Sequence, residues 1–205
     1  MTQTDRQAHW QGVYTTKSEI EVSWFQENPT MSLELIRPTG ATPGSSIVDI
    51  GGGASRLVDL LIAHDFNVTV LDLSEAALSV ARSRIGKAGS LAQWIVADVT
   101  SWDPPSQFDV WHGRAAFHFL TAEADREAYV ARLTKALKPG GQAIIGTFAL
   151  NGPERCSGLP VMRYDADRLT ATLGQRFALL ETKSEDHQTP WGSAQRFQFS
   201  RFSFV

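Results

Sequence analysis

Between residues 46 and 148, short unbroken apolar runs alternate with longer stretches whose apolar positions recur at helical spacing. The runs are Ile47–Ile50, Asn67–Leu71, Gln93–Ala97, Phe108–His112 and Gln142–Phe148. Runs of that length suit strands buried in a sheet. The periodic stretches 54–65, 75–86 and 122–137 predict helices, with Ser74 and Thr121 as N-caps of the second and third, each followed by an acid in the first turn. Pro139-Gly140-Gly141 closes the third. Strand and helix in alternation predict βαβ units around a parallel sheet. After residue 148 the rhythm changes to a turn-rich loop over 151–164 and a short helix near 165–174. Two strand-like runs follow at 177–183 and 195–202. The second alternates Phe with polar residues, as a half-buried antiparallel strand does. The first 40 residues lie outside this rhythm and carry the rings of Trp10, Tyr14, Trp24 and Phe25.

The first strand breaks into Gly51-Gly52-Gly53-Ala54-Ser55 before an amphipathic stretch. A strand, a glycine elbow and a helix start make a nucleotide-shaped seat in an open α/β sheet, because glycine lets the backbone pass close under a ligand. Such a turn is weak evidence alone. Its weight comes from the acids that end three strands: Asp49, Asp72 and Asp98. At the carboxyl edge of a parallel sheet they suit a ligand carrying an ammonium, a diol and an adenine amine. They would repel a pyrophosphate, which argues against a nicotinamide dinucleotide and for S-adenosylmethionine.

At this point the chain resembles the class I S-adenosylmethionine-dependent methyltransferases, over roughly residues 45 to 148. Asp49-Ile50-Gly51-Gly52-Gly53-Ala54-Ser55 is similar to their cofactor loop, with Ser55 where a third spaced glycine is usual. Leu71-Asp72-Leu73-Ser74 resembles the ribose-binding segment and Ala97-Asp98-Val99 the adenine-binding one. Phe108–His112 resembles the fourth strand and Leu137-Lys138-Pro139-Gly140-Gly141 the turn before the fifth. The resemblance implies a Rossmann-like, seven-stranded, mostly parallel sheet with helices on both faces and a C-terminal antiparallel hairpin. It implies an enzyme that transfers a methyl group from S-adenosylmethionine, leaving S-adenosylhomocysteine. Residues 1–205 then read as a single domain, with 1–40 as an N-terminal cap and 151–164 as a substrate lid whose Arg155, Cys156, Met162, Arg163 and Tyr164 reach the acceptor.

The cofactor-binding set expected on this basis is Asp49, Gly51, Gly52, Gly53, Asp72, Leu73, Asp98, Val99, His112 and Arg114, with Tyr14 and Trp24 from the cap. Phe25 is a further aromatic candidate; a sulfonium gains attraction from an aromatic face. Each has a plainer reading: a capped turn for Asp49, a helix-dipole acid for Asp72, the start of the next turn for Asp98, cap packing for the rings. Arg114 can meet the cofactor carboxylate, or pair with Asp109 or Glu123. His118, in an apolar run, reads as a satisfied core histidine. His112 is the best candidate for a general base, where an acceptor needs one.

Composition narrows the rest. A formal charge of −3 gives no basic footprint for nucleic acid. The one cysteine, Cys156, allows no internal disulfide and fits a reducing compartment. No apolar stretch approaches a membrane span and no secretion signal opens the chain, so the expectation is cytoplasmic. No metal site is expected, since His112 and His118 lack a third ligand at suitable spacing. The expected acceptor is a small molecule. A protein lysine, or a binding role without catalysis, is the alternative.

Overall fold

A computed structural model of the chain describes residues 3–205. Its helices are α1 (Gln3–Thr16), α2 (Thr30–Ile36), α3 (Leu57–Ala63), α4 (Glu75–Ile85), α5 (Glu123–Ala136) and α6 (Ala166–Leu173). Its strands are β1 (Ser46–Ile50), β2 (Asn67–Asp72), β3 (Gln93–Val96), β4 (Phe108–Arg114), β5 (Leu137–Phe148), β6 (Arg155–Cys156), β7 (Leu159–Pro160), β8 (Phe177–Gln188) and β9 (Ala194–Phe204). Among the described residues, seven strands form one sheet in the order β3-β2-β1-β4-β5-β9-β8, and β6 pairs with β7 apart from it. The first five are mutually parallel, and β9 returns antiparallel to β5 and β8. This is the expected Rossmann-like sheet with its terminal hairpin.

Alternate residues of the central strands divide two cores. Val48, Ile50, Leu71, Trp111, Ala143 and Ile145 face one, where Tyr129 and Leu133 of α5 and Leu169 of α6 close over them. Ile47, Val70, Val110 and Ile144 face the other, under Leu35 of α2, Leu57 and Leu61 of α3 and Leu78 of α4. Strands covered on both faces explain the unbroken apolar runs.

Helix boundaries differ in two informative places. The helix expected from residue 54 begins at Leu57, because the glycine turn continues through Ser55, whose N–H bonds the Gly52 carbonyl at 2.8 Å. Ser74 caps α4, its hydroxyl accepting from the Ala77 N–H at 3.1 Å. Thr121 does not cap α5. The N-cap is Ala122, with no side-chain bond, since the Thr121 N–H is drawn into a tight turn on the Phe119 carbonyl at 3.0 Å. The hairpin strands run on beyond the apolar runs, to Gln188 and Phe204.

Register brings the chemistry to one edge. Asp49 lies beside Val70 and His112, Ile50 beside Gly113, and Asp72 beside Val96. Behind that edge, Gly146 leaves room for a neighbour: a Cβ there would stand 2.5 Å from Cε1 of the fully buried Phe199 ring. Gly146→Ala is therefore expected to destabilise the protein by about 1–3 kcal/mol through overpacking. Urea titration checks it, and an unchanged midpoint would contradict the packing described.

Candidate functional site

The turn after β1 has little freedom in its sequence. Gly51 has φ +68° and lies against β4's exit, where an added Cβ would stand 2.8 Å from that of Ala116. A Cβ on Gly52 would stand 2.6 Å from Asp49 Oδ2 and 2.7 Å from Val70. Gly53 has φ +44°, and its added Cβ would meet Asp72 Oδ2 at 2.9 Å and the Tyr14 hydroxyl at 3.3 Å. Backbone thus passes directly over two carboxylates. Ser55 is not among the left-handed residues, so its departure from a spaced glycine causes no strain. Ala115 is, at φ +56°, a conformation costing a non-glycine residue roughly 1–2 kcal/mol. It sits where β4 abuts the turn.

The three strand-end acids live in different company. Asp49 is buried and accepts from His112 Nδ1 at 2.7 Å, while His112 Nε2 meets the Ser32 hydroxyl of α2 at 2.9 Å. With both nitrogens engaged and 2% of its surface exposed, His112 orients Asp49 and offers no free nitrogen to an acceptor. Asp72 has no cationic partner. Its Oδ1 accepts the Ser74 N–H at 2.8 Å, and burial, with Asp49 nearby, pushes its pKa up to about 7 despite the backbone N–H bonds. Asp98 is fully engaged: Thr100 donates its N–H at 2.8 Å and its hydroxyl at 2.6 Å to Oδ1, and Arg6 donates twice to Oδ2. Burial raises this carboxyl, but those hydrogen bonds outweigh it and the pKa is lowered.

Helix α1 roofs the edge. Arg6, Trp10 and Tyr14 follow one another at four-residue spacing on one helix face. They line a cleft with Gly51, Leu71–Leu73, Ala97–Val99, Arg114–Ala116 and Phe119–Leu120. Trp10 stands edge-on to Trp24 and Phe119, with centroids 5.5 and 4.9 Å away. Trp24 Nε1 donates to the Tyr14 hydroxyl at 2.9 Å. Gln11 Oε1 ties the helix to the start of α4, accepting from Ser74 Oγ and Ala76 N at 3.1 Å each. A second cavity adjoins the first, sharing Tyr14, Trp24, Gly51 and Arg114 and adding Asp49, Gly52, Phe25, Arg56, Ser32 and His112.

Arg114 pairs with neither Asp109 nor Glu123. Asp109 instead takes Lys138 and Ser46 at 2.8 Å. Arg114 Nη1 donates to the Trp24 carbonyl at 2.9 Å, its guanidinium stacks 4.4 Å from the Phe197 ring, and Nε stands 3.8 Å from Glu185. Nε and Nη2 make no hydrogen bond. Burial lowers its pKa to about 10, so it remains a cation at neutral pH. His118 is a core histidine only half satisfied: Nδ1 accepts the Phe148 N–H at 3.1 Å, and Nε2 has no partner. Burial, then Arg114, lowers its pKa to about 3.

The loop 151–164 supplies no wall to either cavity. Cys156 and Tyr164 are buried in the two cores, Arg163 pairs with Glu154, and Arg155 turns onto the Gly158 carbonyl. These residues pack the hairpin β6–β7 against the body. Sequence reasoning missed Arg6, Gln11 and Ser32; nothing in their spacing marks them, since each acts across 63 or more positions of chain. Among the described residues, no three His, Cys, Asp or Glu gather as a metal site, and no helix is long and apolar enough to cross a membrane.

Comparison with known proteins bears on this edge. Residues 47–141 match the family model of the methyltransferase domain. A ubiquinone biosynthesis O-methyltransferase of Stutzerimonas stutzeri is 26% identical over 149 residues, covering 72% of this chain and 58% of that protein. The chain thus spans less than two thirds of that relative's length. A solved chain from the conversion of a disulfide bond into a thioacetal group during echinomycin biosynthesis shares the fold with TM-score 0.77 at 22% identity, covering 97% of this chain and 92% of that one. The N-methyltransferase NodS of Bradyrhizobium japonicum WM9, in complex with S-adenosylhomocysteine, gives 0.74 at 19%, covering 95% and 97%.

Asp72 yields a stability test. An acid whose folded pKa is raised holds its proton longer in the native state, so wild-type stability falls as pH rises from about 4 through about 7. Asp72→Asn cannot ionise and escapes that loss. The melting temperature of Asp72→Asn relative to wild type is expected to climb between pH 5 and pH 8. Parallel melting curves across that range would contradict the desolvated carboxylate.

Proposed function

We propose, from the match of residues 47–141 to the methyltransferase-domain model and from the geometry of the cleft, that the chain is a class I S-adenosylmethionine-dependent methyltransferase that transfers the methyl group to a small-molecule acceptor. One observation carries this reading: a buried carboxylate without a cationic partner, Asp72, lies directly under the glycine turn and opens into an aromatic-roofed cleft. A ribose diol brings two donors to that carboxylate. Gly51 and Gly52 keep the turn's backbone pressed onto Ala116, Asp49 and Val70, so no side chain of the turn stands between the strand-end acids and the cleft.

The cofactor, when bound, supplies a methyl group on a sulfonium, electrophilic enough that the protein's main task is alignment. In this reading Asp72 takes the ribose, with Leu73 and Val99 as apolar walls beside the base. Asp49, fixed by His112, supports the turn under Gly51, Gly52 and Gly53. Tyr14, Trp24 and Trp10 exclude water and face the cation. Arg114, with Nε and Nη2 free of hydrogen bonds, suits the cofactor carboxylate where the two cavities join. No general base is assigned, because His112 is committed on both nitrogens. An acceptor already nucleophilic near neutral pH fits that arrangement.

A small acceptor is favoured over a protein lysine by the roof of α1, which covers a cleft lined mainly by rings and aliphatic side chains, with Arg6, Asp72, Asp98 and Arg114 as its charged groups. The ubiquinone-pathway relative points the same way by its name. The whole chain, residues 1–205, acts in this reading as one domain with 1–40 as its cap. Cytoplasmic residence goes with it, Cys156 being a buried free thiol.

Thermal melting with S-adenosylmethionine, S-adenosylhomocysteine or NAD tests the reading. Adenosyl ligand at about 100 times its dissociation constant adds roughly 2.7 kcal/mol. For a chain of this size that is about 5 to 10 °C. The shift is expected with both adenosyl ligands, absent with NAD and lost in Asp72→Ala. No shift with either adenosyl ligand would end the methyltransferase reading; binding without turnover across an acceptor screen would favour a noncatalytic binder.

A further inference from the structure

Asp98 holds the position where the class resemblance puts the acceptor of the adenine amine, yet it has nothing left to accept with. A carboxylate offers two lone pairs on each oxygen. Oδ1 is taken twice by Thr100, at 2.8 and 2.6 Å. Oδ2 is taken twice by Arg6, through Nε at 3.2 Å and Nη2 at 2.7 Å. Asp98 and the guanidinium that engages it both border the cleft. Arg6 is 8% exposed, lines the cleft, and is held from a second side by Asp125, which accepts from Nη1 at 2.7 Å. Nη2 also reaches Thr100 Oγ1 at 3.4 Å. Of its five N–H bonds, one on Nη1 stays unused.

We propose that Arg6, and not Asp98, reads the nucleobase in this chain, with Asp98, Asp125 and Thr100 as the residues that position it. The proposal rests on the cleft being an S-adenosylmethionine site. Its chemical consequence is an exchange of sign. A carboxylate at the base edge demands a donor, the 6-amino group. A guanidinium has only donors, and donates instead to a ring nitrogen or a carbonyl oxygen. Adenine offers ring nitrogens; hypoxanthine, with oxygen in place of the amine, offers that carbonyl. The cleft is then expected to tolerate a 6-oxo base, which a free carboxylate there would repel.

The direct test is titration calorimetry with S-adenosylhomocysteine and S-inosylhomocysteine. Wild type is expected to bind the two within about tenfold of each other, whereas a site that accepts from the amine rejects the oxo analogue by roughly 100-fold or more. Arg6→Met releases Asp98 and is expected to open that gap. Asp98→Asn gives a second check, since Asn can donate to a carbonyl. If Asp98 touched the base, the preference would move toward the inosyl ligand; on the proposal both affinities fall and their ratio holds. Rejection of the inosyl ligand by wild type, or a ratio that shifts in Asp98→Asn, overturns the proposal. Failure of wild type to bind S-adenosylhomocysteine at all would remove the cofactor reading beneath it, which is a separate result.

Discussion

The carboxyl end of β1 has space for backbone and for nothing else, and the site is arranged around that limit. Gly51 is pressed by Ala116, Gly52 by Asp49 and Val70, Gly53 by Asp72 and Tyr14. A side chain at any of them would separate the turn from the acids beneath it. The same crowding delays the following helix to Leu57, since the chain needs Ala54 to Arg56 to clear the turn. It also explains why Ala115 is held left-handed: β4 leaves the sheet beside Gly51 and has to turn away at once. Strain in a non-glycine residue persists where neighbouring packing over-determines the backbone.

Acids collected at one sheet edge repel one another, and the chain compensates them unequally. Asp49 receives a histidine and Asp98 an arginine from sequence far away, whereas Asp72 receives backbone N–H groups alone. Burial without a counter-charge is what lifts its pKa to about 7. The one acid left electrostatically open is the one under Gly53, facing the cleft. An uncompensated buried charge in a folded chain is destabilising unless a ligand completes it, so the cost is concentrated where binding can return it.

The central strands were legible because both faces of the sheet are covered there, which writes them as unbroken apolar runs. Asp49, Asp72 and Asp98 were legible for a related reason, as polar residues that end those runs. What each acid does was not. Asp72 and Asp98 look alike along the chain, and only the return of α1 over the edge sets one against Arg6 and leaves the other free. His112 looked like a base because imidazole titrates near neutrality; Ser32, 80 positions away, occupies the nitrogen a base would use. The loop 151–164 looked like a lid because turn residues crowd there, yet Cys156 and Tyr164 are sunk in the cores and hold it down. Local pattern reports which residues sit at the edge. Long-range partners decide their chemistry.

Helix α1 joins these two levels. Its own apolar content is too low to fold it onto the body by hydrophobic burial alone, and Arg6 is its buried residue. What holds it is a set of specific bonds: Arg6 to Asp98 and Asp125, Gln11 to the first turn of α4, and the rings of Trp10 and Tyr14 against Trp24 and Phe119. Each of those anchors also borders the cleft or supports a residue that does. Affinity for a ligand and attachment of the roof therefore draw on the same side chains. A substitution that loosens the roof changes the cleft's chemistry with it, because removing Arg6 both takes away one anchor of α1 and leaves Asp98 Oδ2 at the cleft without its donors.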